Sequence, residues 1–271
     1  MIHEQILSDN PRKIDSLTGA RFFAIIIIVF SHFEFLEKYG EFGKFYSSYL
    51  HNPTMGVDFF FMLSGFGMMY SSLFKDPNGN NPIGGVKGII NFGKKHIRKI
   101  YKFYVFSLLL GIPYYCLTCG DSIVIGILKS AVYFTFDLTL LQSATGIMAF
   151  SHSLNGVCWF LSSLFCIYLF SPLILKFLKK HIKSIKSALT GILVSIVISF
   201  ILLVIFKWIE ERTIFDIISY VSPFRRVFYV IPGMLLAQIL FFRNKNGREL
   251  KIFMYGSFEY LTLCSSMVWF F

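Results

Sequence analysis

Charge is what this sequence has least of. Asp, Glu, Lys and Arg make up 15% of its 271 residues, against about 25% in an average soluble chain. The acids are scarcer still, 15 against 26 Lys and Arg, which leaves a net charge of +11. Cysteine is sparse too. Cys116 and Cys119 form a CxxC, and Cys158, Cys166 and Cys264 stand apart. With no second pair and no HxxxH partner, small apolar fillers at a helix end are the plainer reading, and a disulfide or metal site the lesser one. No metal is expected. There is no internal repeat and no low-complexity segment. The first fifteen residues are polar and no A-x-A site follows the first apolar run, so no cleavable signal is expected.

Apolar surface is what the sequence has in excess. Hydrophobic residues make 55% of the chain, Phe alone counts 33, and the mean hydropathy is +0.63. One soluble core cannot absorb that much apolar surface over this length, so the expected solvent is a bilayer. Runs of spanning length cover 17–36, 56–74, 100–118, 157–175, 187–206, 226–242 and 252–271. A weaker run, 122–142, carries Lys129 and Asp137. Backbone polar groups in hydrocarbon must be satisfied within the segment, which predicts an all-α, polytopic transmembrane helical bundle. The expectation is seven to eight spans in a single domain, 1–271.

Where the basic residues fall orients these runs. Loops 75–99, 176–186 and 243–251 hold most of the lysines and arginines, which reads as the cytoplasmic side and argues against nucleic acid as the partner. Arg12 and Lys13 then put the N-terminus inside. The charge-balanced stretch 207–213 fits the outside. Residues 119–156 must then cross the membrane twice or not at all, and their length barely allows two crossings. The run 122–142 is therefore expected to be re-entrant or tilted, with Lys129 and Asp137 facing protein or water.

Ionisable residues inside apolar runs carry the functional signal. Arg21 and His32 are eleven positions apart, which puts them on one helix face about 16 Å apart along the axis. Such residues mark cavities or pathways, although Arg21 alone also fits a positive-inside anchor and His32 a packed interfacial histidine. Asp58 enters the next run from the side where His32 ends the first. It can orient the imidazole and raise its basicity, or cap the second helix. Ser64, Gly65 and Gly67 make a small face for a ligand or for a neighbouring helix.

These residues resemble a family. Leu17-Thr18-Gly19-Ala20-Arg21, ten residues, then His32, followed by Gly56-Val57-Asp58-Phe59-Phe60-Phe61-Met62-Leu63-Ser64-Gly65-Phe66, is similar to the integral-membrane acyltransferase-3 family, which includes bacterial O-acetyltransferases of surface polysaccharides. "FGKKHIRKIYKFY" (Phe92 to Tyr104) resembles the basic start of that family's third helix. "VCWFLSSLFCIYLFSPLI" resembles its Trp-x-Leu helix, and "PFRRVFYVIPGMLLAQ" its later Arg-led helix. The likeness runs in order along almost the whole chain. Lys95 and Arg98 stand where the family usually has two arginines, and Lys102 where it usually has proline. The chain offers fewer helices than usual and ends in "SSMVWFF", so a C-terminally shortened member is expected.

The resemblance implies that His32 is the catalytic histidine and Arg21 its partner. It implies acetyl-CoA as donor substrate, with no tightly bound cofactor. The CoA phosphates are expected against Lys94, Lys95, Arg98 and Lys99. The acceptor is expected to be a hydroxyl of a cell-surface or lipid-linked carbohydrate, and the site a multi-pass protein in the bacterial plasma membrane. Trp159, Arg225, Arg226 and Ser64 are the acceptor-side candidates. Trp159 also fits an interfacial belt, and the arginines fit anchors or partners for Glu210 and Glu211. A non-enzymatic flippase of lipid-linked sugar, or an inactive shortened homologue, fits the same polar interior. The flippase does not need the Arg21-to-His32 spacing, and the short C-terminus is what suggests the inactive homologue.

Overall fold

The structure, a computed structural model, describes residues 15–51, 54–75, 85–120, 122–210 and 219–245. Every regular element among them is helical. The α-helices are α1 (Asp15–Ser31), α2 (Gly40–Phe45), α3 (Thr54–Lys75), α4 (Gly85–Thr118), α5 (Ile123–Asp137), α6 (Met148–Ser151), α7 (Trp159–His181), α8 (Ile185–Glu210) and α9 (Pro223–Lys245). Among the described residues, four stretches are long and apolar enough to cross a membrane: Gly85–Thr118, Gly156–His181, Ile185–Ile209 and Pro223–Arg243. They coincide with four of the expected spans. The expected run 252–271 lies outside the described residues.

Helix forms here in spite of local propensity. α1 contains four consecutive isoleucines and α8 is dominated by Ile, Leu and Val. Such β-branched runs favour strands in water, but in hydrocarbon the helix is what satisfies each N–H and C=O within one segment. Many of these side chains face outward. Leu193, Val197, Ile201 and Val204 on α8, and Phe103, Phe106, Leu110 and Leu117 on α4, are all exposed. Only 11% of the apolar window of α4 is buried, against 67% in α9. α4 therefore offers its length to lipid, whereas α9 is a core helix.

The basic stretch before residue 100, expected as a loop, is helical from Gly85 onward. The physical reason is tertiary. Gly93 lets α7 approach, so that a Cβ there would lie 3.0 Å from Leu169 and 3.1 Å from Phe165. Ile97 is buried, and the His96 ring packs 4.8 Å from that of Tyr168. An apolar row thus continues through the cationic segment and holds it in helix. α1 is shorter than expected. It ends at Ser31, which leaves His32 in the turn that follows.

The helices form two compact units. One comprises the described parts of Met1–Gly79, Ile182–Ile196 and Tyr229–Phe271. Within it α3 packs antiparallel to α1, with Gly56 seated on Ala24 and Ile28. It also meets α9 backbone to backbone. Gly65 faces the carbonyl of Val230 and Gly233 that of Met62, with no room for a side chain at either glycine. Phe61, Leu63, Met69, Met234 and Ile239 fill the surrounding core.

The other unit comprises the described parts of Asn80–His181 and Val197–Phe228. α5 runs back along α4, but only along its second half. Gly126 sits against Cys116 and Cys119, Tyr133 edges onto Tyr115 at 5.6 Å, and the end of α5 meets Tyr104 and Tyr101. There the chain turns and climbs again, bringing Leu154 to Gly111 and Cys158 to Ser107 before α7 begins. Residues 119–156 therefore run to mid-length of α4 and return.

Candidate functional site

His32 closes the C-terminus of α1. The last carbonyls of a helix need outside partners, and here Ile28 O takes two, the Ser31 hydroxyl at 2.7 Å and the His32 ring Nδ1 at 2.7 Å. A carbonyl only accepts, so that contact puts a proton on Nδ1. The neutral ring then carries its lone pair on Nε2. His32 and Arg21 are both exposed. Asp58 is 3% exposed. It lies two residues beyond Gly56, the residue seated on Ile28, so the first turn of α3 abuts the turn of α1 that holds the His32 ring. The Ser64 hydroxyl donates to Phe60 O at 2.9 Å in its own helix. The neighbour that Gly65 admits is the backbone of α9, the helix-packing alternative for that small face.

A second region lies within the other unit. A cavity of about 1010 Å³ is lined on its α4 side by Asn91, Lys94, Lys95, Arg98, Lys99 and Lys102. These positions recur every three or four residues, which places them along one side of a helix. All four cations expected to hold the donor are among them. Lys102 is a fifth that sequence reasoning passed over as a departure from the family pattern. None of the five has an acidic partner among the described residues. The remaining wall is mostly apolar, with Ile97, Leu138, Leu140 and Phe165 beside Tyr101 and Thr139. The cavity thus sets unneutralised positive charge beside apolar surface, which suits an anion that carries an apolar arm.

The far wall is the turn that follows α5, and α4 and α7 hold it. Tyr101 donates to Leu138 O at 2.8 Å and Tyr104 to Asp137 O at 2.7 Å. The Gln142 amide donates to the Tyr104 hydroxyl at 2.9 Å, and the Ser162 hydroxyl to Leu140 O at 3.0 Å. Leu140 has φ of 57°, a conformation that a leucine adopts only under constraint. Asp137 is buried and accepts from Ser153 at 2.7 Å, so it faces protein as expected. Lys129 is exposed. Burial pushes the pKa of His152 down from its ordinary value.

The acceptor-side candidates of this unit sit around Tyr220. Arg225 and Arg226 are 1% and 0% exposed. Arg226 Nε donates to Tyr220 O at 2.7 Å, and its guanidinium lies 4.2 Å from the Tyr220 ring centroid and 5.5 Å from that of Trp159. Trp159 is itself buried, with its ring 4.9 Å from that of Tyr220. It serves here as one side of an aromatic seat for Arg226. Among the described residues no group of three or more His, Cys, Asp or Glu could hold a metal ion.

Residues 14–270 match a family model described as an acyltransferase domain, the acyltransferase-3 type. No curated protein and no solved structure matches the chain.

Proposed function

We propose, for a chain that belongs to the acyltransferase-3 family, that its membrane acyltransferase activity takes a short acyl group, acetyl in the first instance, from cytoplasmic acyl-CoA to a carbohydrate hydroxyl on the far side of the bilayer. The observation that carries this reading is the gathering of Lys94, Lys95, Arg98, Lys99 and Lys102 around one cavity with apolar walls. The CoA phosphates pair with the cations, Arg98 supplying planar two-point contact and the lysines point charges. The adenine and the pantetheine arm take the apolar wall. Arg21 guides the donor on its way to the reacting group.

His32 performs the transfer in this account. Its Nε2 lone pair either takes the proton of the acceptor hydroxyl or attacks the thioester and carries the acyl group. Both routes end with the acyl group on the acceptor oxygen and the displaced sulfur as a CoA thiol. The Nδ1–H bond to Ile28 O holds the ring so that Nε2 is the free nitrogen, and Asp58 adds orientation and negative charge at the same end of α1. Ser64, Trp159, Arg225 and Arg226 belong to the acceptor side.

The test is equilibrium binding of acetyl-CoA to the purified chain, competed by free coenzyme A. Saturable binding that weakens about tenfold or more in Arg98→Ala, in line with the loss of a charge-assisted hydrogen bond, supports the reading. Binding indifferent to all five cations contradicts it.

A further inference from the structure

Between α1 and α3 the chain forms a helical stretch from Gly40 to Leu50, α-helical first and then π-wound. It is pinned to the end of α1 that carries His32. Tyr46 is fully buried, and its hydroxyl donates to Phe30 O at 2.8 Å, two residues before His32. Gly43 lies against the carbonyl of Glu37 with no room for a side chain. His51 Nδ1 lies 3.3 Å from Glu37 Oε1. These contacts fix one side of the stretch.

Its other sides differ in chemistry. Phe42, Phe45 and Tyr49 are 50%, 51% and 70% exposed. Their rings follow one another at 6.5 and 5.1 Å. Beside this ridge Lys44 and Glu41 pair at 2.8 Å, 76% and 89% exposed. The stretch is thus amphipathic, and its aromatic ridge is exposed among the described residues.

What covers the ridge follows from the surface it continues. α1 exposes Phe22, Phe23, Ile25 and Val29, a lipid-facing side for a helix in a bilayer. The rings of Phe30, Phe33 and Phe35 carry that surface into the connection at steps of 5.5 and 5.6 Å. Aromatic rings at the end of an apolar helix, with a charged side next to them, belong at the membrane–water interface.

We infer that Gly40–Leu50 lies in the headgroup region of the leaflet where α1 ends, held there by Phe42, Phe45 and Tyr49, and that it keeps His32 at that depth. The acceptor is then a carbohydrate anchored in that leaflet by a lipid, whose first sugars lie at headgroup level, and not a polymer free in water. The acceptor half of this inference rests on the acyltransferase reading. The interfacial half does not.

The experiment places a photo-crosslinking phenylalanine analogue, one position at a time, at Phe42, Phe45, Tyr49, Lys44 and Ser48 of the full chain in phospholipid vesicles. Irradiation is followed by mass analysis of adducts. All five side chains are exposed, so each variant folds as the parent does. The same vesicles are then supplied with acetyl-CoA and either a lipid-linked oligosaccharide or its delipidated form. Phospholipid adducts at 42, 45 and 49, absent at 44 and 48, with at least tenfold preference for the lipid-linked acceptor, are the expected result. Lipid adducts on both sides alike, or glycan adducts on the ridge instead, overturn the interfacial placement. Correct adducts with equal transfer to both acceptors overturn the acceptor class. Correct adducts with no transfer to either leave the interfacial helix standing and count against the acyltransferase reading.

Discussion

Tyr104 donates its hydroxyl to the backbone carbonyl of Asp137 across 2.7 Å, and the same oxygen accepts from the amide of Gln142 at 2.9 Å. This pair joins α4, which bears the cations, to the turn that walls the opposite side of the cavity. With the Tyr101 hydroxyl on Leu138 O, this phenol ties the two sides of the proposed donor site together.

Removing that phenol tests the join. Tyr104→Phe keeps the ring and leaves Asp137 O and Gln142 Nε2 without this partner in a buried setting. Each stranded group costs about 1–3 kcal/mol. Thermal unfolding in detergent is expected to shift down by several degrees, and the KM for acetyl-CoA to rise more than kcat falls. An unchanged Tm would mean that the turn is held by other contacts.

Lys102 is expected to act with the four neighbouring cations. Lys102→Ala should raise the KM for acetyl-CoA several-fold with little change in kcat. Rising ionic strength should weaken donor binding in the wild type and do so less in the variant, because fewer screened charges remain. Lys176→Ala, on α7 and outside the cavity lining, should leave both parameters alone. Steady-state kinetics over a salt series decides this. Equal effects at Lys102 and Lys176 would reduce the cavity cations to general surface charge.

Four of the expected seven to eight spans are met among the described residues, because hydrophobic length is what a bilayer demands and length is written directly in the sequence. Residues 119–156 are barely enough for two crossings, and in the structure they run to Tyr104 of α4 and back to Gly111. The helical extension of α4 was not legible. Its basic residues read as a loop, whereas Gly93 and His96 pack on α7 and Ile97 is buried. Lys102 was within reach, four positions after Arg98 and eight after Lys94, once that segment is wound as helix. The turn around Leu140 and the role of Tyr46 depend on partners far along the chain, and no local pattern announces them.

Gly233 meets the backbone of α3 with no space between. Gly233→Ala forces the two helices apart, an overpacking cost of about 1–3 kcal/mol. Gly67, which has open space within 4 Å of a Cβ, should accept alanine without loss. Comparing the Tm of the two variants in one detergent checks this. Equal stability would show that α3 and α9 separate without cost.

His152 gives the stability a pH dependence of known sign. Burial lowers its pKa in the folded chain below the ordinary value of 6.5. In acid the unfolded chain therefore binds a proton that the folded chain refuses. The stabilising contribution is present above the unfolded pKa and is lost as pH falls below it, toward the folded value. The Tm should drop between neutral pH and about pH 5, and His152→Gln should flatten part of that slope. A slope unaltered by the substitution would assign the acid sensitivity to other groups.

The central claim is that the acyl group passes by way of His32. The most direct measurement is label transfer from radiolabelled acetyl-CoA to membrane glycan, in membranes with equal amounts of wild type and His32→Asn. The asparagine amide can still donate toward Ile28 O, but it has no basic or nucleophilic nitrogen in the place of Nε2. Label in the glycan fraction of the wild type, and at least a hundredfold less with the variant, is the predicted result. Equal label from both chains would contradict it and leave His32 as a helix cap.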